Sequence, residues 1–217
     1  MPLPIHTIRN AATQEEIDYT LVLGCLRNEY AAPRDVITRL LHRGDLIRIK
    51  KGLYVFGKNY ARRPYSLEVL ANKIYGPSYL SCEYALSFYG VIPEAVFEIT
   101  SMTTGRNKIF STPVGRFSYR YVNPKQYAVG MTYIKLTSEY GALMATPEKA
   151  IADLLVTRGE KMQDMHELEE IIYDNYRMDP EKIAGLGIGQ MQEIAQIYQL
   201  ATIEMLPNLI RKAKKNV

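Results

Sequence analysis

The chain has 217 residues, of which 47% are apolar and 23% charged, with 27 Lys/Arg against 23 Asp/Glu. This composition is that of a soluble protein with one large domain or two modest ones. No apolar stretch approaches the roughly 18 residues that would span a bilayer, and the opening MPLPIHTIRN lacks the basic start and apolar run of a signal peptide; a cytoplasmic protein with no membrane partner is expected.

Cys25 and Cys82 lie far apart, each in an apolar helical pattern, which suits buried reduced thiols more than a disulfide. His6, His42 and His166 have no partner at i+3 or i+4, so no metal site and no cofactor is expected. Seventeen tyrosines without a tryptophan point to half-buried sheet surfaces.

In chain order, Ala12 to Asn28 reads as helical, in one piece or two, with Thr13 and Glu16 spaced as a capping box. Pro33 then suits a first helical turn and Gly44 a helix end, which predicts a short helix from Pro33 to Arg43. Its Val36, Ile37, Leu40 and Leu41 gather on one face, while Arg34, Thr38, Arg39, His42 and Arg43 occupy the rest. Leu46 to Lys50 and Leu53 to Phe56 alternate around Lys51-Gly52, the pattern of a hairpin. A basic-faced helix feeding a basic-tipped hairpin predicts the recognition helix and wing of a winged helix-turn-helix. Residues 34 to 63 carry nine Lys/Arg against two acids, a local surplus larger than that of the whole chain. Counterion release makes such concentrated charge the footprint of nucleic-acid binding. Base reading falls to Arg34, Thr38, Arg39, His42 and Arg43 in the major groove, with Arg48, Lys50 and Lys51 of the hairpin contacting backbone. A solvated basic surface is the plain alternative.

Residues 57 to 64 lose periodicity and read as a linker, dividing a DNA-binding domain over residues 1–60 from a second domain over 65–217. Ser66 caps a helix that runs to Tyr75, and a second short helix covers Cys82 to Tyr89. Val96 to Met102, Phe117 to Val122, Met131 to Leu136 and Tyr140 to Ala145 alternate as strands, predicting an α+β domain with an antiparallel sheet. Thr146-Pro147-Glu148 opens another helix, and from there the chain reads as helical. Gly185 to Gly189 is spaced like a phosphate loop but follows a helical segment, so a helix end is the better reading. Ser81-Cys82-Glu83 at a helix start has no nearby histidine, and the acids between Glu160 and Asp174 lie on one helical stretch; no enzymatic role is expected from them.

Several pieces taken together carry a resemblance: the hairpin GDLIRIKKGLYVF, the stretch PYSLEVLANKIYGPSYLSCEYALSFYGVIPE, TTGR of Thr103 to Arg106, TPVGRF of Thr112 to Phe117, and ATPEKAIADLL. In this order, over roughly residues 15 to 157, they resemble the AbiEi family of bacterial antitoxins. The resemblance implies an N-terminal winged helix that represses its own operon by binding double-stranded operator DNA, singly or as a homodimer or cooperative assembly. It further implies a C-terminal domain that counteracts a nucleotidyltransferase-like toxin without forming a stable complex with it. The polar stretch with Thr103, Thr104, Arg106 and Lys108 is then either an antitoxin or anion-contact surface or a solvated loop. The alternative function is a stand-alone transcriptional regulator whose C-terminal domain senses a ligand or oligomerises.

Overall fold

The structure is a computed structural model that describes residues 3–138 and 140–216. It begins with helix α1 (Pro4–Ala11), started by Pro4 in its first turn and anchored by buried Ile5 and Ile8. A short strand β1 (Glu16–Asp18) leads into α2 (Tyr19–Leu26), then α3 (Pro33–His42), β2 (Leu46–Lys50) and β3 (Leu53–Phe56). The three strands form an antiparallel sheet in the order β1-β3-β2.

The helical reading of Ala12 to Asn28, in one piece or two, is corrected at its start. Glu16 and Ile17 are strand residues paired with Val55 and Tyr54, and the helix starts three residues later. Thr13 caps nothing; Asp18 is the N-cap, accepting from Leu21 N–H at 2.8 Å. The capping-box spacing was coincidental, because the backbone of β1 found its partners in β3.

Strand β3 is buried on both sides. Tyr54 and Phe56 join the cluster of Ile8, Val22, Leu26, Val36, Ile37 and Leu40 from the three helices, whereas Leu53 and Val55 belong to the larger core of the rest of the chain. The alternation of a strand thus ties the basic helix to the second core.

That core is built on a six-stranded mixed sheet in the order β6-β7-β5-β4-β9-β8. Helix α4 (Leu67–Ile74), capped by Ser66, precedes β4 (Ser78–Leu80), α5 (Cys82–Phe88) and β5 (Glu98–Thr103). Then come β6 (Lys108–Thr112), β7 (Gly115–Tyr121), the single turn α6 (Pro124–Tyr127), β8 (Met131–Lys135) and β9 (Gly141–Ala145).

The expected antiparallel sheet is a second correction: β5 runs parallel to β7, and β4 parallel to β9. Burial explains the first pair. β7 contributes the fully buried Phe117 and Tyr119 and takes the inner place, while the polar β6, with Lys108, Ile109 and Ser111 exposed, is left at the edge.

After Ala145 the chain is helical, as its sequence predicts. Helix α7 (Pro147–Arg158) is buried almost all round, from Glu148 to Leu155, and ends at Gly159 in the left-handed conformation with φ 70°. It is covered by α8 (Met165–Glu169), which continues as a π-helical segment over Glu170–Asn175, and by α9 (Pro180–Gly185), α10 (Ile188–Tyr198) and α11 (Ala201–Asn216). Among the described residues no helix is long and apolar enough to cross a membrane.

Candidate nucleic-acid interface

Helix α3 presents two faces because its apolar residues are spaced for one. Val36, Ile37 and Leu40 are buried; Arg34, Thr38, Arg39, His42 and Arg43 are exposed. Beside it the β2–β3 hairpin turns at Lys51-Gly52, and Gly52 adopts φ 86°, a conformation that favours glycine. The tip is held to α2 by Tyr19 N–H donating to the Gly52 carbonyl at 2.9 Å.

Between α3 and the hairpin lies a groove of about 840 Å³, lined by Arg34, Thr38, Arg48 and Lys51 together with Tyr19 and Tyr54. Arg34 Nε donates to the Tyr19 hydroxyl at 3.4 Å, and Thr38 Oγ1 donates to the Arg34 carbonyl at 3.0 Å. Three guanidinium or ammonium groups therefore share one concavity with two tyrosines. Such a groove offers charge-assisted hydrogen bonds to phosphate and, from the half-buried Tyr19, van der Waals surface to sugar, while Tyr54 is buried in its floor.

The remaining helix residues flank it. Arg39 Nε donates to the Asp35 carbonyl at 3.4 Å, and Arg43 Nε lies 3.1 Å from Asp45 Oδ2. His42 and Thr38 border a second cleft with Arg48 and with Pro113 of the β6–β7 turn. Pro113 of the larger sheet thus faces hairpin and helix across this cleft.

Lys50 departs from the expected set. It is half-buried and donates to the Ile74 carbonyl at the end of α4, where a cation suits the unsatisfied end of a helix. Burial and the nearby Lys108 push its pKa down. The cause is a bulge in β2: Arg48 pairs with Tyr54, but it is Lys50 that pairs with Leu53, so simple alternation fails at Ile49. Lys50 joins the hairpin to α4 and is not presented at the tip.

Tyr19 and Tyr54 were missed in the sequence. Tyr19 lies inside the misread helix, and Tyr54 reads only as a strand residue of the hairpin, where it is buried.

The Thr103 to Lys108 stretch divides. Thr103 is fully buried; its hydroxyl donates to the Pro77 carbonyl at 2.8 Å and accepts from Gly105 N–H at 3.1 Å. The expected surface role is corrected for this residue. The chain then passes from β5 to β6 over Tyr75, whose hydroxyl accepts from Arg106 N–H at 3.2 Å and whose ring lies 4.6 Å from Lys108 Nζ. Thr104 is half-buried, and Arg106 and Lys108 keep exposed side chains.

Other sequence features resolve locally. Gly185 ends α9, and Gly187 N–H donates to Glu148 Oε1 at 2.7 Å, so a carboxylate already occupies the amide that a phosphate would need. Cys82 is buried, and burial together with Asp153 pushes its thiol well up, away from reactivity. Cys25 and Cys82 are both free thiols. Of the acids after Glu160, Asp164 caps α8, Glu160 accepts from the Tyr176 hydroxyl, and Glu169 pairs with Lys212.

No family model matches the chain, and no curated protein matches it.

Proposed function

We propose that the chain is a DNA-binding transcriptional autorepressor whose N-terminal part is a winged helix-turn-helix and whose remainder acts as an antitoxin against a nucleotidyltransferase-like toxin. The observation that carries the DNA-binding reading is the groove in which Arg34, Thr38, Arg48 and Lys51 converge between an exposed helix face and a tight hairpin. The order α1-β1-α2-α3-β2-β3 with strands arranged β1-β3-β2 supports it, since that is how a winged helix is built. In this reading α3 enters the major groove and the hairpin follows the backbone.

The antitoxin reading is supported by the AbiEi-like motifs. Physically, much of those motifs does structural work. Thr112 Oγ1 accepts from Val114 N–H and donates to the Gly115 carbonyl, shaping the β6–β7 turn, and ATPEKAIADLL is the buried start of α7. The exposed Arg106 and Lys108 remain the residues offered to a partner.

The deciding experiment is fluorescence anisotropy of the full chain on the duplex upstream of its own start codon, against a scrambled duplex, at two salt concentrations. Autorepression predicts salt-sensitive binding at least about 10³-fold tighter on the upstream duplex. Equal binding to both removes the repressor reading. For the antitoxin half, co-expression with the neighbouring gene must relieve that gene's toxicity; a lone gene without a toxic neighbour favours the stand-alone regulator instead.

A further inference from the structure

A third recess, separate from both clefts at α3, opens where the end of α1 meets the segment leading into α4. Its volume is about 720 Å³, and Arg9, Asn10, Thr13, Gln14, Glu15 and Arg62 are among its walls. Arg9 is only 6% exposed. Its guanidinium lies 3.9 Å over the Phe56 ring, donates from Nη1 to Glu15 Oε2 at 2.8 Å and from Nη2 to the Ala12 carbonyl at 3.2 Å. Its buried Nε has no acceptor. Burying a guanidinium N–H without a partner is costly, so the positive charge in this wall of the recess is incompletely satisfied.

Arg62 lines the same recess. It is exposed, and among the described residues its contact is a neutral one, to Asn10 Oδ1 at 3.3 Å. Arg63, the next residue, donates to the Thr13 carbonyl at 2.9 Å and stacks 4.7 Å over Tyr140, which fixes the wall on that side. Among the described lining residues Glu15 is the one carboxylate, and it is committed to Arg9. Burial lowers the pKa of Arg9, Glu15 opposes that, and Arg62 and Arg63 lower it further, so like charges are held close together here.

We propose that this recess binds a small phosphorylated anion, contacted by the guanidinium groups of Arg9 and Arg62 and by the polar side chains of Asn10, Thr13 and Gln14. Guanidinium forks match phosphate oxygens bidentately, and two of them from separate segments suit two phosphoryl groups better than one. The volume falls within the range of small-molecule sites and far exceeds that of a single halide or carboxylate. Because Arg62 lies in the segment between β3 and α4, an occupied site ties that segment to α1.

The test uses the full chain and inorganic pyrophosphate, read by isothermal titration calorimetry and by thermal denaturation at constant ionic strength set with chloride. The site predicts saturable binding and, at 100 times the dissociation constant, a rise in Tm of about 5–10 °C. Arg62→Gln, a change at an exposed residue, is expected to weaken pyrophosphate at least tenfold without lowering the Tm of the free protein. Lys161→Gln, at an exposed cation after α7, leaves binding unchanged. No saturable binding, equal weakening by both variants, or an unaffected Arg62→Gln each overturns the proposal. So does loss of duplex binding by Arg62→Gln in a chain that ignores pyrophosphate, which would assign these arginines to the DNA backbone. Pyrophosphate binding is read without DNA, so it stands or fails apart from the repressor reading.

Discussion

Lys149 Nζ lies 3.1 Å from Asp153 Oδ1, one turn along α7, with both side chains shut off from solvent. Around the pair the polar groups are satisfied. Asp153 Oδ2 accepts from the Tyr79 hydroxyl at 3.0 Å and from Ser81 Oγ at 2.7 Å, its Oδ1 accepts from the Tyr198 hydroxyl, and Lys149 Nζ donates to the Gln126 carbonyl at 2.8 Å. This network joins β4, α5, α6, α7 and α10 at one point. Burial pushes the Lys149 pKa down, and Asp153 pulls it back. Asp153→Ala leaves a buried ammonium and three hydroxyls without their acceptor, and is expected to cost about 3–5 kcal/mol, or on the order of 10 °C in Tm. Urea denaturation of both proteins measures it. A loss under about 1 kcal/mol would mean that water reaches the pair.

The same network predicts alkaline sensitivity. Burial, and then the Asp153 charge, raise the Tyr79 and Tyr198 pKa values far above the ordinary tyrosine range. Their contribution is full below the unfolded tyrosine value of about 10, and shrinks above it because the unfolded chain releases protons that the folded chain keeps. Each such tyrosine costs about 1.4 kcal/mol per pH unit there. Lys149, lowered, has the opposite slope below about 10.4 and none above, so the comparison belongs between about pH 10.5 and 11.5. Tyr198→Phe should flatten the stability decline by about one proton's worth. If absorbance at 295 nm shows both tyrosines ionising near pH 10 in the folded protein, the prediction fails.

Where local chemistry decided the structure, the sequence was readable. Pro33, Gly44 and Gly52 punctuate α3 and the hairpin, and apolar spacing fixed which face of α3 is exposed, so Arg34, Thr38 and Arg48 could be picked out together. Where pairing with distant strands decided it, the reading failed. Glu16 and Ile17 became a strand because β3 was available, and β7 displaced β6 from the side of β5 because Phe117 and Tyr119 needed burial. Lys50 went astray through a one-residue bulge. The recess at Arg9 had no local signal, since its walls are about fifty residues apart in the chain.

Three substitutions separate the roles of the candidate interface. Arg39→Ala, on the exposed face of α3, should reduce discrimination between operator and random duplex by about 1–3 kcal/mol. Lys51→Ala, at the hairpin tip, should weaken both duplexes alike and lower the salt slope by about one. Lys50→Met should leave that slope unchanged and instead lower Tm, because it removes the bond to the Ile74 carbonyl. Anisotropy over a salt series checks all three. A reduced slope for Lys50→Met would put that ammonium on DNA after all.

Glu16 gives a prediction of opposite sign. It is 4% exposed in β1, where its Oε1 accepts from Ser66 N–H at the start of α4, and Lys73 Nζ donates to its carbonyl at 2.9 Å. Burial raises its pKa despite the Ser66 bond and Lys73, so the charged form is disfavoured in the folded chain. The group is therefore best accommodated at low pH, where it is protonated in both states, and the folded state loses that advantage as pH rises through its raised pKa. Glu16→Gln keeps the acceptor oxygen and removes the charge. It is expected to raise stability at pH 7 by on the order of 1 kcal/mol, an advantage that disappears near pH 4. Urea midpoints at the two pH values measure it. Destabilisation at pH 7 would show that the carboxylate's charge-assisted bond to Ser66 outweighs its desolvation, and that Glu16 holds β1 to α4 as an anion.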